Sequence, residues 1–158
     1  MPVSWKPSVT VAAVVERDGR FLLVEEQTPE GIRLNQPAGH LDPGESLVDA
    51  AVREALEETT CAFTPDALLG VYMARSASAY AAVPVTYVRF AFVGNVGEPD
   101  PALKLDDGIL RTMWLTADEV RVRAREHRSP LVMKCIEDYL AGQRFPLSVV
   151  HTHPSAIA

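Results

Sequence analysis

Gly39–Cys61 reads GHLDPGESLVDAAVREALEETTC, and this stretch decides the fold. Pro37–Gly44 is rich in breakers and predicts a structured loop. Ser46 and Asp49 then form a capping signal, and Leu47–Thr60 is rich in helix formers. On a helix, Glu57 and Glu58 fall within about 60° of Glu54. Ala50 and Ala51 lie a turn back on that face and leave room above the carboxylates. Val48, Val52, Ala55 and Leu56 form the opposite stripe, expected to face the core. Like charges three and four residues apart mildly destabilise a helix. The cluster is therefore either a solvated acidic face or a site for a hard cation. Mg²⁺ or Mn²⁺ would suit carboxylate and carbonyl oxygens. Glu45, in the preceding loop, is placed to converge on the same point.

Outside this stretch the pattern is of strands, then short helices. Ser8–Glu16 is apolar and β-branched, Asp18-Gly19 is a turn signal, and Phe21–Glu26 returns. Residues 8–26 thus read as a hairpin, followed by a loop over Thr28–Leu34. Leu68–Ala74 and Val85–Val93 read as strands joined by small residues, and Gly94–Pro101 as a loop. Arg111–Leu115 is a short strand. Thr116 and Glu119 form a capping box that opens a helix through about Glu126. Pro130 opens a third helix ending near Gly142. Strands, a helix, more strands and two further helices predict an α/β (α+β) domain with a mixed sheet flanked by helices. The last dozen residues read as irregular.

Composition narrows the function. A chain of 158 residues suits one domain of ordinary size. Its two cysteines, Cys61 and Cys135, lie far apart and predict inert buried thiols in a reducing cytoplasm. No apolar run is long enough to span a bilayer, and the first residues have no signal-like apolar core. The formal net charge is −6. Residues 41–60 hold six acids against Arg53 alone and so carry most of it. The run Arg121, Arg123, Arg125 and Arg128 reads as a solvated surface rather than a nucleic-acid groove. The composition excludes a grip on nucleic-acid polymers but not on a small polyphosphate held through a metal.

The quoted stretch resembles the Nudix box, G-x5-E-x7-R-E-U-x-E-E-x-G-U, where U is bulky and apolar. Gly39, Glu45, Arg53, Glu54, Glu57 and Glu58 match at the required spacing. Ala55 and Cys61 are weak apolar matches, and Thr60 stands where the family has Gly. Asn35–Leu41, Arg128–Val132 and Gly142–Leu147 also resemble the NudJ-type phosphatase subgroup. The resemblance implies a Nudix-type α/β/α sandwich with a mixed curved sheet. It implies a single domain over residues 1–147, with residues 148–158 as a tail.

The resemblance further implies a Mg²⁺-dependent hydrolase of phosphoanhydride bonds, with Mn²⁺ as a substitute. Glu57 and Glu58 would be the principal metal ligands, and Glu54 a further ligand or the general base. The Ala38 carbonyl would be a backbone ligand. Arg53 would orient the glutamates, with Glu45 and Gly39 supporting them. Asp106 or Asp107 would be alternative bases, or simply turn residues. The subgroup implies nucleoside tri- and diphosphates, or the hydroxymethylpyrimidine pyrophosphate intermediate of thiamine synthesis, with release of phosphate. Alternatives are a Nudix enzyme releasing pyrophosphate, or a Nudix ligand sensor without turnover. The partner is then a small-molecule phosphoanhydride, with no membrane and no nucleic acid. The protein would be a cytoplasmic monomer or small homo-oligomer.

Other residues are read on their own chemistry. Gln36 could hydrogen-bond a base edge. Arg75 and Arg89 could meet phosphates, or lie on a solvated strand edge. Tyr72 and Trp5 could stack on a heterocycle, and Trp5 could equally anchor packing. Trp114 reads as core, and His40 as a loop-packing residue. His151 and His153 lack a third ligand for a metal site. A β-branched residue resists the left-handed conformation of a helix-ending glycine, so the helix is expected to end differently at Thr60, one residue later. That departure lies beyond the last proposed ligand, so catalysis is expected to survive it.

Overall fold

The apolar run Val11–Val15 is at most 1 % exposed. The strand containing most of it, β1 (Ser8–Val14), is covered on both faces. Ala12 and Val14 enter one core and Val11 and Ala13 the other. Such burial explains a run of apolar residues where a half-exposed strand would alternate. The structure is a computed structural model and describes residues 1–76 and 82–158.

Two sheets build the domain. In the first, β1 pairs in parallel with β7 (Thr86–Val96) and antiparallel with β5 (Ala38–His40). β6 (Phe63–Arg75) closes the far edge, giving the order β5-β1-β7-β6. This is the expected mixed sheet. Beside it, β3 (Arg20–Thr28) pairs with β2 (Glu16–Arg17) and β4 (Gly31–Asn35). Its other edge pairs with β8 (Ile109–Thr116). The helices α1 (Leu47–Thr59), α2 (Ala117–Val122) and α3 (Leu131–Leu140) cover the sheets. One core joins β1 and β7 to Phe21, Leu23 and Ile136 of α3; the other joins them to Ala50, Ala51 and Ala55 of α1. The mixed sheet is therefore sandwiched between α1 and α3, an α/β/α arrangement.

Several local readings are corrected. Residues 8–26 are not one hairpin: only Glu16–Arg17 pairs with β3, and β1 belongs to the other sheet. Thr28–Leu34 is mainly the turn into β4 and the strand itself, with Gly31 at φ 101 making the turn. The strands β6 and β7 are longer than expected, and β7 runs through Val96. Residues 77–81 of the small-residue junction lie outside the described residues. The helix opened by Thr116 has its full reciprocal capping box but stops at Val122, with a 3-10 turn over Ala124–Glu126. The described tail is irregular apart from short 3-10 turns at Leu147–Val149 and Pro154–Ala156.

On α1 the expected stripe is borne out at Val48, Val52 and Ala55, which join the core, but not at Leu56. Ala50, Ala51, Ala55, Glu58 and Thr59 are buried, whereas Leu56 is exposed. The alanines let the helix lie close on the sheet, and Glu58 is turned in with them while Glu57 stays exposed.

Its end overturns the expectation for Thr60. The helix stops at Thr59, and Thr60 takes the left-handed conformation, φ 62 and ψ 10, that a glycine would take. The turn is held from both sides: Thr60 N–H donates to the Leu56 carbonyl at 2.8 Å, and Asp100 N–H donates to the Thr60 carbonyl at 3.0 Å. Left-handed strain in such a residue is of order 1–2 kcal/mol. Burying one large side chain such as Phe92 stabilises by about 1.5–3 kcal/mol, so the fold tolerates the strain. Thr60→Gly should therefore raise stability by about 1 kcal/mol, or Tm by roughly 2–4 °C. Thermal unfolding of the two proteins checks this, and a lower Tm in the variant would contradict it.

Candidate active site

The site begins where β5 passes under α1. Gly39 lies directly against the Glu54 carboxylate, and any Cβ at position 39 would overlap it. This close approach, and not backbone freedom, favours glycine here, since a Cβ would displace the Glu54 carboxylate. One residue earlier, Ala38 N–H donates to Glu58 Oε1 at 2.8 Å. Two adjacent residues of one short strand thus set the positions of two glutamates.

Arg53 organises the remaining acids. Its Nε and Nη2 grip both oxygens of Glu45, at 2.9 and 2.7 Å. Its Nη1 donates to Glu54 at 2.9 Å and to Glu57 at 3.2 Å. Nη2 also donates to the His40 carbonyl at 2.9 Å and lies 3.4 Å from Asp42. Glu45 accepts from Asp42 N–H at 2.7 Å as well, closing the loop onto the helix. The Arg53 guanidinium holds the Glu45 carboxyl below its ordinary range.

Glu58 is different. It is 6 % exposed, and no cation pairs with it among the described residues. Burial, reinforced by the charges of Glu26, Glu54 and Asp106, pushes its carboxyl up to about 8, against the pull of the Ala38 N–H. Burial also raises Glu54, with Arg53 opposing. Asp106 belongs to this group: its N–H donates to the Glu57 carbonyl at 2.9 Å. Asp107 is exposed.

A cleft of about 820 Å³ adjoins the glutamates, with Ala38, Gly39 and Glu26 at that end. Arg75, Arg89 and Arg128 also line it. Arg89 is 5 % exposed, so it is not on a solvated edge. Two expected contacts are corrected. Gln36 is 1 % exposed and commits its amide to Val132 and Arg89, so no base edge can reach it. Tyr72 is buried and donates its hydroxyl to Asp138 at 2.8 Å, so it has no open face for stacking. Trp5 is 71 % exposed and anchors nothing. His40 lines the cleft, its ring 6.1 Å from that of Tyr87. Cys61 and Cys135 are buried free thiols, as expected.

Sequence reasoning missed Glu26. It lies at a bulge in the β3–β8 pairing, a device that re-aims side chains. Arg128 Nε stands 3.2 Å from its Oε1 but is not aligned for a hydrogen bond, and that oxygen has none. The signal was the pair Glu25-Glu26 at the end of an apolar strand. Glu25 is held instead by Arg111 and Arg123, which lower its carboxyl to about 2. The basic run is accordingly not one solvated face: Arg123 is committed to Glu25 and Glu126, and Arg128 faces the cleft.

These oxygens suit a hard divalent cation, and Glu58 in particular is a desolvated carboxylate lacking a counter-charge. They are not already caged: among the described residues, no three His, Cys, Asp or Glu side chains are gathered as a metal cluster. Arg53 occupies part of the space between them. The same described residues contain no helix long and apolar enough to cross a membrane.

Comparison with known proteins agrees with this geometry. The NUDIX domain family pattern matches residues 5–135. The chain is 38% identical over 146 residues to "Phosphatase NudJ" of Escherichia coli K12, covering 92% of each chain. It is equally similar, over the same share, to "Phosphatase NudJ" of Shigella sonnei. Among solved structures, a NUDIX hydrolase from Nitrosomonas europaea is 52% identical, with TM-score 0.87, covering 94% of this chain and 99% of that one. A MutT NUDIX hydrolase from Burkholderia pseudomallei, 24% identical with TM-score 0.68 over 85% of this chain and 98% of its own, shares the fold.

The raised Glu58 carboxyl has a measurable consequence in metal-free protein. The folded state keeps a proton that the unfolded chain releases near the ordinary value of 4.5. Folded protein binds more protons between those limits, so stability falls as pH rises from about 4.5 to about 8. The loss should be large enough to lower the denaturation midpoint measurably across that window. Glu58→Gln should flatten this slope. Denaturant titrations in chelator at pH 5, 6.5 and 8 check it; equal slopes in both proteins would refute the burial argument.

Proposed function

The chain belongs to the Nudix hydrolases, and from that premise we propose that its glutamates form a Mg²⁺-dependent centre that hydrolyses small phosphoanhydrides. It is a hydrolase of phosphoanhydride bonds of the NudJ type. The observation that carries the site assignment is the contrast among the helix acids. Arg53 neutralises Glu54 and Glu57 from one side, while Glu58 stands buried without a cation.

In this reading Glu57 and Glu58 would be the principal metal ligands. Glu54 would be a further ligand or the base, and the Ala38 carbonyl a backbone ligand. Mn²⁺ would substitute for Mg²⁺. When bound, the metal would neutralise phosphate charge and lower the pKa of an attacking water. The chain's own residues do the rest. Arg53 cannot lose its proton and holds two glutamates in fixed rotamers against their mutual repulsion. Gly39 keeps Glu54 close to the strand, and Glu45 anchors the loop. A carboxylate accepting the water's proton would contribute about 10²–10⁴ in rate. Glu54, raised by burial, or Asp106, whose charge acts on it, would take that role.

The relatives bear the name phosphatase, which favours release of inorganic phosphate. Nucleoside tri- and diphosphates, or hydroxymethylpyrimidine pyrophosphate, would be substrates. The catalytic domain would span residues 1–147, with residues 148–158 as a tail, in a cytoplasmic monomer or small homo-oligomer.

Glu57 is exposed and makes no core contact, so Glu57→Gln should fold normally. It should lose at least about 10²-fold in kcat with Mg²⁺. Product analysis on nucleoside di- and triphosphates and on pyrimidine pyrophosphates measures this in both proteins. Full activity in the folded variant would sink the assignment, and release of pyrophosphate would move the cleavage point.

A further inference from the structure

The cleft wall contains a buried cation that the hydrolytic centre does not use. Arg89 sits on β7, beside Thr10 of β1 and Tyr72 of β6. Its Nη1 donates to Gln36 Oε1 at 2.9 Å and its Nη2 to Asn35 Oδ1 at 3.0 Å. Cys135 Sγ lies 3.9 Å from Nη1. Both oxygen partners are neutral amides. No carboxylate lies within ion-pair distance of Arg89 among the described residues, although its charge is felt by Glu26 across the cleft wall. A buried charge is ordinarily paired, because leaving water is costly. Here two amides fix the guanidinium plane without neutralising it, and the residue lines a cleft. Arg75, exposed and without a carboxylate partner among the described residues, lines the same cleft. Arg128 lines it as well, but is already close to Glu26.

We propose that this cleft is an anion subsite, with Arg89 as its fixed guanidinium and Arg75 as its mobile one, for the phosphate that stays on the organic product. The inference rests on the glutamates being the hydrolytic centre. The bond would be cut at the Ala38–Gly39 end of the cleft, and the part leaving through the cleft would still carry negative charge. A guanidinium held in place suits a phosphate group, which it meets as a preorganised positive charge. Two cations there would favour cleavage of the terminal phosphate over cleavage next to the nucleoside. The subsite would thereby set which product is released. Amide partners suit this task, since a carboxylate in their place would cancel the charge that the ligand must meet.

The test is calorimetric binding of adenosine diphosphate and of adenosine to the whole chain in chelator, where no turnover occurs. Wild type should bind the diphosphate about tenfold or more tightly than adenosine. Arg89→Gln and Arg75→Gln should each erase most of that preference and leave adenosine affinity unchanged. Arg89→Lys should restore part of it. Arg75 is exposed, so its variant keeps the test open if the buried position does not tolerate change. Equal affinity for both ligands, no binding of either, or equal weakening of both by the substitutions would overturn the proposal. Hydrolysis by wild type with Mg²⁺ is scored separately. Hydrolysis without arginine-dependent binding defeats the subsite alone, and arginine-dependent binding without hydrolysis defeats the catalytic reading alone.

Discussion

The Arg53 guanidinium divides its donors among Glu45, Glu54, Glu57 and the His40 carbonyl, and much of the site is arranged around that division. Acids one turn apart on a helix repel, and in isolation would swing outward into water. Arg53 instead draws two of them toward the loop that carries Glu45. The loop is thereby tied to the helix, and β5 is held in register beneath it. Glu58 lies outside this grip and receives only the Ala38 N–H. The result is a pair of glutamates tied to one guanidinium and, beside them, a buried carboxyl without a cation whose proton affinity is raised furthest. The asymmetry follows from the reach of a single side chain.

Small residues make room for that geometry. Ala50, Ala51 and Ala55 bring α1 down onto the mixed sheet, and Gly39 lets Glu54 lie against β5. A side chain at position 39 would displace the Glu54 carboxylate from β5. The parallel pairing of β1 with β7 then brings Arg89 beside Thr10, so the cationic wall and the acidic helix share one sheet.

The acidic helix and its capping were legible from residues 39–61, because helical periodicity and turn chemistry are local, but the strand β5 within the expected loop Pro37–Gly44 was not, because it forms only by pairing with β1. Nor were the sheet partners of β1. A strand buried on both faces followed by Asp18-Gly19 has the same pattern whether it returns on itself or changes sheets. Gln36 and Tyr72 looked like ligand contacts because polar and aromatic groups serve both roles. Only their partners, Val132 and Asp138, show that they are already committed. Thr60 was misjudged in the opposite direction: the Asp100 N–H and the Leu56 carbonyl outweigh the torsional preference of its side chain. Arg89 was noticed, but its burial depends on contacts dozens of residues away in sequence.

The parallel pairing has a consequence for how the chain is made. β1 is synthesised early, yet its partner β7 follows only after β5, α1 and β6. Until then the Val11–Val15 run offers one unpaired apolar edge to its surroundings. Contacts this distant close slowly and leave intermediates prone to association. Translation pausing or truncation between β6 and β7 would thus prolong the most aggregation-prone interval. Chaperone demand should be set by the delay in delivering β7, rather than by the strength of the finished core.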